Sequence, residues 1–203
     1  MSAVLEIQKT APKTEVFQNG QILDARLISV KEYDQMIEYG ILTTKDKVEL
    51  LNGVIIEKMP KGIKHAALND LVGEIFRENL GSKITVRNQN PIVLDDFSEP
   101  EPDIVLAKPP RKRYFENHPT PEDIFLIVEI SDSTLGRDRF AKGLAYARAD
   151  IRQYLILNVQ DQTIEDYRQP NADGYQSKQT YRGGAAFNLV AFPEIEIKVD
   201  DLF

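Results

Sequence analysis

The chain of 203 residues contains no cysteine and no tryptophan. Without cysteine there are no disulfides and no thiolate metal sites, and a reducing cytoplasm is the expected location. No apolar run approaches the roughly 20 residues that a membrane-spanning helix needs. The stretch from Met1 to Gly20 lacks the apolar centre of a secretory signal. The only two histidines, His65 and His118, lie too far apart in sequence to suggest a typical zinc site. Phosphate-loop, dinucleotide and G-x-S-x-G patterns are all missing, which sets aside P-loop, dinucleotide-dependent and serine-hydrolase chemistry. Positive charge is also in short supply, with a net charge of −7. That speaks against a protein coating nucleic acid non-specifically, but not against a nuclease, whose metal-binding carboxylates add negative charge. The one dense basic cluster, Lys108, Arg111, Lys112 and Arg113, reads either as a solvated loop or as a contact to a phosphate backbone.

The composition, 42% hydrophobic and 28% charged, is that of a globular chain with a sizeable core. Residues 1–25, mixed and polar with Pro12 and Gly20, read as an extended or poorly ordered lead-in, and residues 26–203 as a single domain. Ser29 can cap a short helix through Ile37, with Glu32 completing a capping box. Lys47 to Met59 forms two apolar runs about Asn52-Gly53, a strong hairpin signal. His65 to Leu80 predicts an amphipathic helix with Leu68, Leu71, Val72, Ile75 and Phe76 on one face and Gly81 as its stop. Strands are expected over Ile84–Leu94 and Asp103–Ala107. The run Asp123–Ile130 lacks alternation and should be the central strand of a sheet covered on both faces. A second helix is expected over Arg137–Asp150, then strands over Arg152–Val159 and Ile164–Tyr167, turns at Gly183-Gly184 and Pro193, and an alternating tail. The order predicts an α/β domain with a mixed sheet.

Glu129 is the residue that needs explaining, because it follows the apolar residues Ile124 to Val128 on the expected central strand. A carboxylate taken out of water costs several kcal/mol unless it is paired or binds a metal. Asp103 opens the preceding strand, and if the two strands are neighbours both carboxylates come within reach of one hard cation. The plainer reading of Glu129 is a strand-end carboxylate paired with an arginine. On the second helix, Phe140, Leu144, Ala147 and Ile151 form an apolar stripe at about 100° per residue, and Lys142 lies opposite it. Taken alone this means solvent, yet Ala141, Ala145, Ala149 and Tyr146 share the Lys142 face. Alanines let a helix lie close to a sheet, so Lys142 can reach the strand ends, with Asp138 and Tyr146 one turn to either side. His65 lies on the apolar face of the first helix, where a hydrogen-bonded core histidine is the commoner role. Glu49 and Glu57 flank the hairpin turn and can add carboxylates or simply be solvated.

Together these segments resemble the PD-(D/E)XK nuclease superfamily, and more closely the Uma-type bacterial restriction-endonuclease family. The resemblance covers the chain from about Ser29 to Asn158. It rests on VELLNGVIIEKMP, the helix beginning at His65, EPEPDIVL, IVEISDST and RDRFAKGLAYARADIRQYLIL. It implies a restriction-endonuclease-like core, a central mixed β-sheet flanked by helices, with an N-terminal hairpin and extra C-terminal strands. It also implies Asp103 and Glu129 as ligands of Mg²⁺ (or Mn²⁺), with the Ile130 carbonyl as a third, and Lys142, His65 and Glu49 as further catalytic-site residues. The superfamily has a lysine two residues after the strand glutamate where this chain has Ser131; in Uma-type sequences the lysine sits on the following helix, which matches Lys142. The implied activity is endonucleolytic hydrolysis of phosphodiester bonds, in DNA before RNA, and homodimers are compatible with it. A nuclease-fold module that binds nucleic acid or protein without cutting is the alternative, and hydrolysis of another phosphate ester a third reading.

Overall fold

The computed structural model describes residues 13–18 and 21–203. Within the expected lead-in, β1 (Lys13–Gln18) and β2 (Gln21–Arg26) pair as an antiparallel hairpin; residues 1–12 and 19–20 lie outside the described residues. The Ser29 hydroxyl and the Glu32 carboxylate form the expected reciprocal capping box at the start of α1 (Val30–Glu38). Strands β3 (Val48–Leu51) and β4 (Val54–Glu57) turn at Asn52 and Gly53, both at positive φ, +50° and +76°. A side chain could not replace Gly53, because its Cβ would lie 2.5 Å from Leu27 Cβ. The hairpin docks on the acidic loop through a bridge between Leu50 and Glu99 and through the Asn52 amide, which donates to Ser98 Oγ at 3.1 Å.

Helix α2 (Ile63–Leu80) starts two residues before the expected His65. Its buried stripe is Asn69, Val72, Gly73, Phe76 and Leu80, so the apolar face is rotated from the predicted one and Leu71 is exposed. The reason is Asn88, whose amide reaches Asn69 Oδ1 at 2.6 Å and draws the Asn69–Gly73 edge of the helix down. Strand β5 (Thr85–Asn88) is shorter than the expected Ile84–Leu94. Gln89 takes a left-handed φ of +53°, which turns the chain out of the extended conformation and ends the β5–β6 ladder at Asn88. Strands β6 (Ile104–Ala107) and β7 (Ile124–Ser131) come next. The second helix has three parts: α3 (Leu135–Arg137), a π-helical run (Asp138–Lys142) and α4 (Gly143–Arg148). Strands β8 (Gln153–Asn158), β9 (Thr163–Asn171) and β10 (Gly174–Tyr181) follow, and β11 (Ala186–Asn188) pairs with β12 (Glu196–Lys198).

The main sheet has six strands in the order β10-β9-β8-β7-β6-β5. Only the β7–β8 pair is parallel, so the sheet is mixed and β7 is an inner strand, as its unbroken apolar run predicts. One face carries Ile104, Leu106, Leu126, Val128, Ile130 and Leu155 against α2 and the β11–β12 segment. The other carries Val105, Ile127, Tyr154 and Ile156 against Ala145 and Tyr146 of α4, with Leu51, Ile92 and Leu94. Burying each side chain of this kind contributes roughly 1.5–3 kcal/mol. The sheet ends where Glu129 and Asp103 sit are therefore set between two packed layers.

Candidate active site

The strand period of two places Asp103 on the face of Val105 and Glu129 on the face of Ile127, the face covered by α4. Ile104 is paired with Val128, so one further step sets Asp103 opposite Glu129. Both are buried, at 7% and 4% exposure. Two carboxylates facing each other across neighbouring strands repel, and burial strengthens the repulsion.

Each has dedicated partners. Asp103 Oδ2 accepts from His65 Nε2 at 3.0 Å and from the Ile130 amide at 2.9 Å, while Gln89 Nε2 reaches Oδ1 at 3.4 Å. The backbone carbonyl of Asp103 is held by Asn69 Nδ2 and by the Gln89 amide. Burial raises the Asp103 carboxyl, but the His65 and Ile130 hydrogen bonds outweigh it and the net shift is downward. Glu129 Oε1 accepts from Lys142 Nζ at 2.9 Å and from the Tyr146 hydroxyl at 2.7 Å. Burial is the larger influence on Glu129 and raises its carboxyl, while the Lys142 ammonium pulls it back down and favours the carboxylate. Lys142 Nζ also lies 3.3 Å from Glu49 Oε2. Burial works against the Lys142 charge, yet Glu129 and Glu49 together hold it protonated.

The local fold explains how Lys142 arrives there. In the π-helical run the Gly143 amide bonds to the carbonyl of Asp138, five residues back, and the Tyr154 hydroxyl donates to that carbonyl at 3.0 Å. The extra residue in the turn breaks the regular 100° spacing. The predicted stripe is corrected in part: Ala147 and Ile151 are buried as expected, but Phe140 is 75% exposed, and Asp138, Lys142, Gly143, Ala145 and Tyr146 are buried instead. Tyr146, one turn from the lysine, donates its hydroxyl to Glu129.

Glu49, on β3, is buried rather than solvated; its Oε2 takes the Glu101 amide at 2.9 Å and its Oε1 is buried with no partner. Glu57 is exposed and offers the site only its backbone carbonyl, which accepts from Arg137 Nη1 at 2.9 Å. The His118 imidazole stands 3.9 Å from Glu99, away from this group. In the basic cluster, Arg113 is tied to Asp123 at 2.7 Å. Ser131 is fully buried at the end of β7, 3.4 Å from the Thr134 hydroxyl. Two positioning residues, Asn69 and Gln89, were missed. Asn69 had a signal, since it falls one turn after His65 on the buried side of α2, whereas Gln89 had none.

Strand geometry gives the direction of the Ile130 carbonyl. The N–H and C=O of one strand residue point the same way. The Ile130 amide points to the β6 side, where it meets Asp103, and the residue opposite Ile130, Pro102, has no N–H to offer its carbonyl. That carbonyl therefore looks along the Asp103–Glu129 edge. Asp103, Glu129, Ile130, Glu49, His65 and Lys142 all line one cleft, closed on its other sides by 58–62 and by Asp132, Ser133, Thr134 and Arg137.

A family model described as "Putative restriction endonuclease", Uma2, matches residues 30–200. The chain belongs to the Uma2 family. The match takes in the whole cleft, from Glu49 to Lys142. A solved structure from Anabaena variabilis ATCC 29413, described as a putative nuclease belonging to DUF820, superposes with a TM-score of 0.67 at 18% identity. It covers 87% of this chain and 97% of its own, which shows the same fold. No curated protein matches. A restriction-endonuclease-like fold of the Uma2 type is thus established for the chain. Among the described residues no helix is long and apolar enough to cross a membrane.

Proposed function

We propose that this Uma2 protein is a metal-dependent endonuclease that hydrolyses phosphodiester bonds, with DNA as its substrate. The observation that carries the reading is the opposed pair of buried carboxylates, Asp103 and Glu129, on adjacent strand ends. Such a pair is costly without a cation between or beside it, and the one buried ammonium here is already shared between Glu129 and Glu49. The donor set fits a hard divalent ion: two carboxylates, the Ile130 carbonyl without a strand partner, and room for water on the cleft side. Asp103, Glu129 and the Ile130 carbonyl would hold Mg²⁺ (or Mn²⁺). When bound, such an ion polarises a phosphate and lowers the pKa of an attacking water.

The chain's own groups do the rest. His65 and the Ile130 amide fix the Asp103 carboxylate in one orientation. Tyr146 and Lys142 fix Glu129 through one oxygen, which leaves the second for the cleft. The Lys142 ammonium, kept charged by Glu129 and Glu49, stands where it stabilises negative charge developing on a phosphate. Packing of α4 and β3 around these groups keeps bulk water from screening them.

Asp103→Asn should lower metal-dependent nicking of supercoiled plasmid at least about a hundredfold while the far-ultraviolet circular dichroism stays unchanged. Wild-type protein that cleaves neither DNA nor RNA with Mg²⁺ or Mn²⁺ would contradict the reading. The second reading, a binding module, draws on the fact that no group of three or more His, Asp or Glu among the described residues is arranged to hold a metal. Under it, nucleic-acid binding would be indifferent to Mg²⁺.

A further inference from the structure

The segment 58–62 links β4 to α2 and forms one lip of the cleft. It carries Lys58 and Lys61, with Met59, 53% exposed, between them, and α2 continues from it with Ile63, 91% exposed, and Lys64. Lys58 Nζ lies 2.7 Å from Glu101 Oε2, and Lys61 Nζ lies 3.9 Å from Glu101 Oε1. Both lysines thus converge on the two oxygens of one carboxylate at the mouth of the cleft, two residues before Asp103. Lys61 lines the mouth of the cleft beside Glu101 and is exposed to solvent there. Glu101 has no comparable tie of its side chain to the core; the contact it makes inward is through its backbone amide, to Glu49. Arg137 also lines the cleft, its Nη1 donating to the Glu57 carbonyl at 2.9 Å beside Lys58.

A carboxylate bridging two lysines has the charge and the paired oxygens of a phosphodiester. Exposed apolar side chains between cations suit a strand in which sugars and bases alternate with phosphates. A small phosphate ester would use the inner site alone and leave this lip unexplained.

Building on the nuclease reading, we propose that Lys58 and Lys61 bind the phosphates flanking the scissile one, and that Glu101 occupies their ammonium groups until a nucleic-acid strand displaces it. Glu101 then sets affinity by competition: each strand phosphate must replace an ion pair already made inside the protein. The substrate class is a polynucleotide strand contacted along several phosphates.

The test is binding of a short labelled DNA duplex, and of one of its strands, to the full chain in EDTA across a salt series. Glu101→Gln keeps the backbone amide that Glu49 accepts and removes only the competing charge. It should tighten binding about threefold to tenfold and steepen the slope of log K against log salt by about one. Lys61→Ala, at a side chain that is one-third exposed and cannot unfold the protein, should weaken binding by a similar factor and flatten the slope by about one. Equal or weaker binding by Glu101→Gln, or equal binding by Lys61→Ala, overturns the proposal. If the wild type binds and cleaves while both variants match it, the lip assignment fails and the nuclease reading stands. If the wild type binds neither strand nor duplex and cleaves nothing, both fall together.

Discussion

Lys142 is as buried as the leucines of the core, and its ammonium is shared between Glu129 and Glu49. An ion placed so deep contributes little net stability, because desolvation offsets its attraction to the carboxylates. Removing it is another matter, since two carboxylates are then left buried without a cation. Lys142→Met should therefore cost about 3–5 kcal/mol at neutral pH, measured by urea unfolding. Adding Glu129→Gln to that variant should recover much of the loss, because a neutral amide can still accept from the Tyr146 hydroxyl. A double variant no more stable than Lys142→Met would show that the cost comes from packing of the lysine stem rather than from charge. The carboxylates were legible in the sequence because charge inside an apolar run is conspicuous. The depth of Glu49 was not, since its burial comes from the docking of the β3–β4 hairpin on the 97–101 loop, a contact with no local pattern.

Two elements position the site, and each does so through a feature that regular periodicity does not show. On α2, Gly73 lets the helix approach Asn88: a Cβ there would lie 2.8 Å from Asn88 Nδ2. Asn88 in turn holds Asn69, and Asn69 holds the carbonyl of Asp103. Gly73→Ala should cost about 1–3 kcal/mol and should also slow cleavage, whereas Phe140→Ser, at an exposed position of the π-helical run, should change stability by less than about 0.5 kcal/mol. Thermal unfolding of the two variants side by side checks both. The Phe140 expectation runs against the sequence, which puts that phenylalanine on the apolar stripe. The boundaries of β3, β4, β7 and the Ser29 capping box were readable because each depends on residues within a few positions. The end of β5 and the π-turn were not, because Gln89 and Asp138 take their conformations from partners far along the chain, Asp103 and Tyr154.

At the scale of the molecule, the second helix is fastened to the sheet twice, by the buried site and by an outer ionic group. There Glu165 on β9 accepts from Arg139 of the π-helical run, from Tyr167 at 2.7 Å and from Lys178 of β10 at 3.0 Å. Burial raises the Glu165 carboxyl, but those donors outweigh it and bring it down to about 2 from an ordinary 4.5. A depressed folded value means the contribution is complete above the unfolded value and is lost as pH falls toward the folded one. The gap in melting temperature between wild type and Glu165→Gln should thus be widest at neutral pH and close between about 4.5 and about 2. A gap independent of pH would assign the effect to shape alone. The whole arrangement, a mixed sheet whose inner strand ends in carboxylates under a helix bearing a lysine, is what the Uma2 match spans. The measurement closest to its centre is calorimetric titration of Mn²⁺ into the wild type and into Asp103→Asn. Saturable binding to the wild type that is lost in the variant is the predicted result; equal binding by both, or none by either, would contradict the assignment of Asp103 and Glu129 as a metal site.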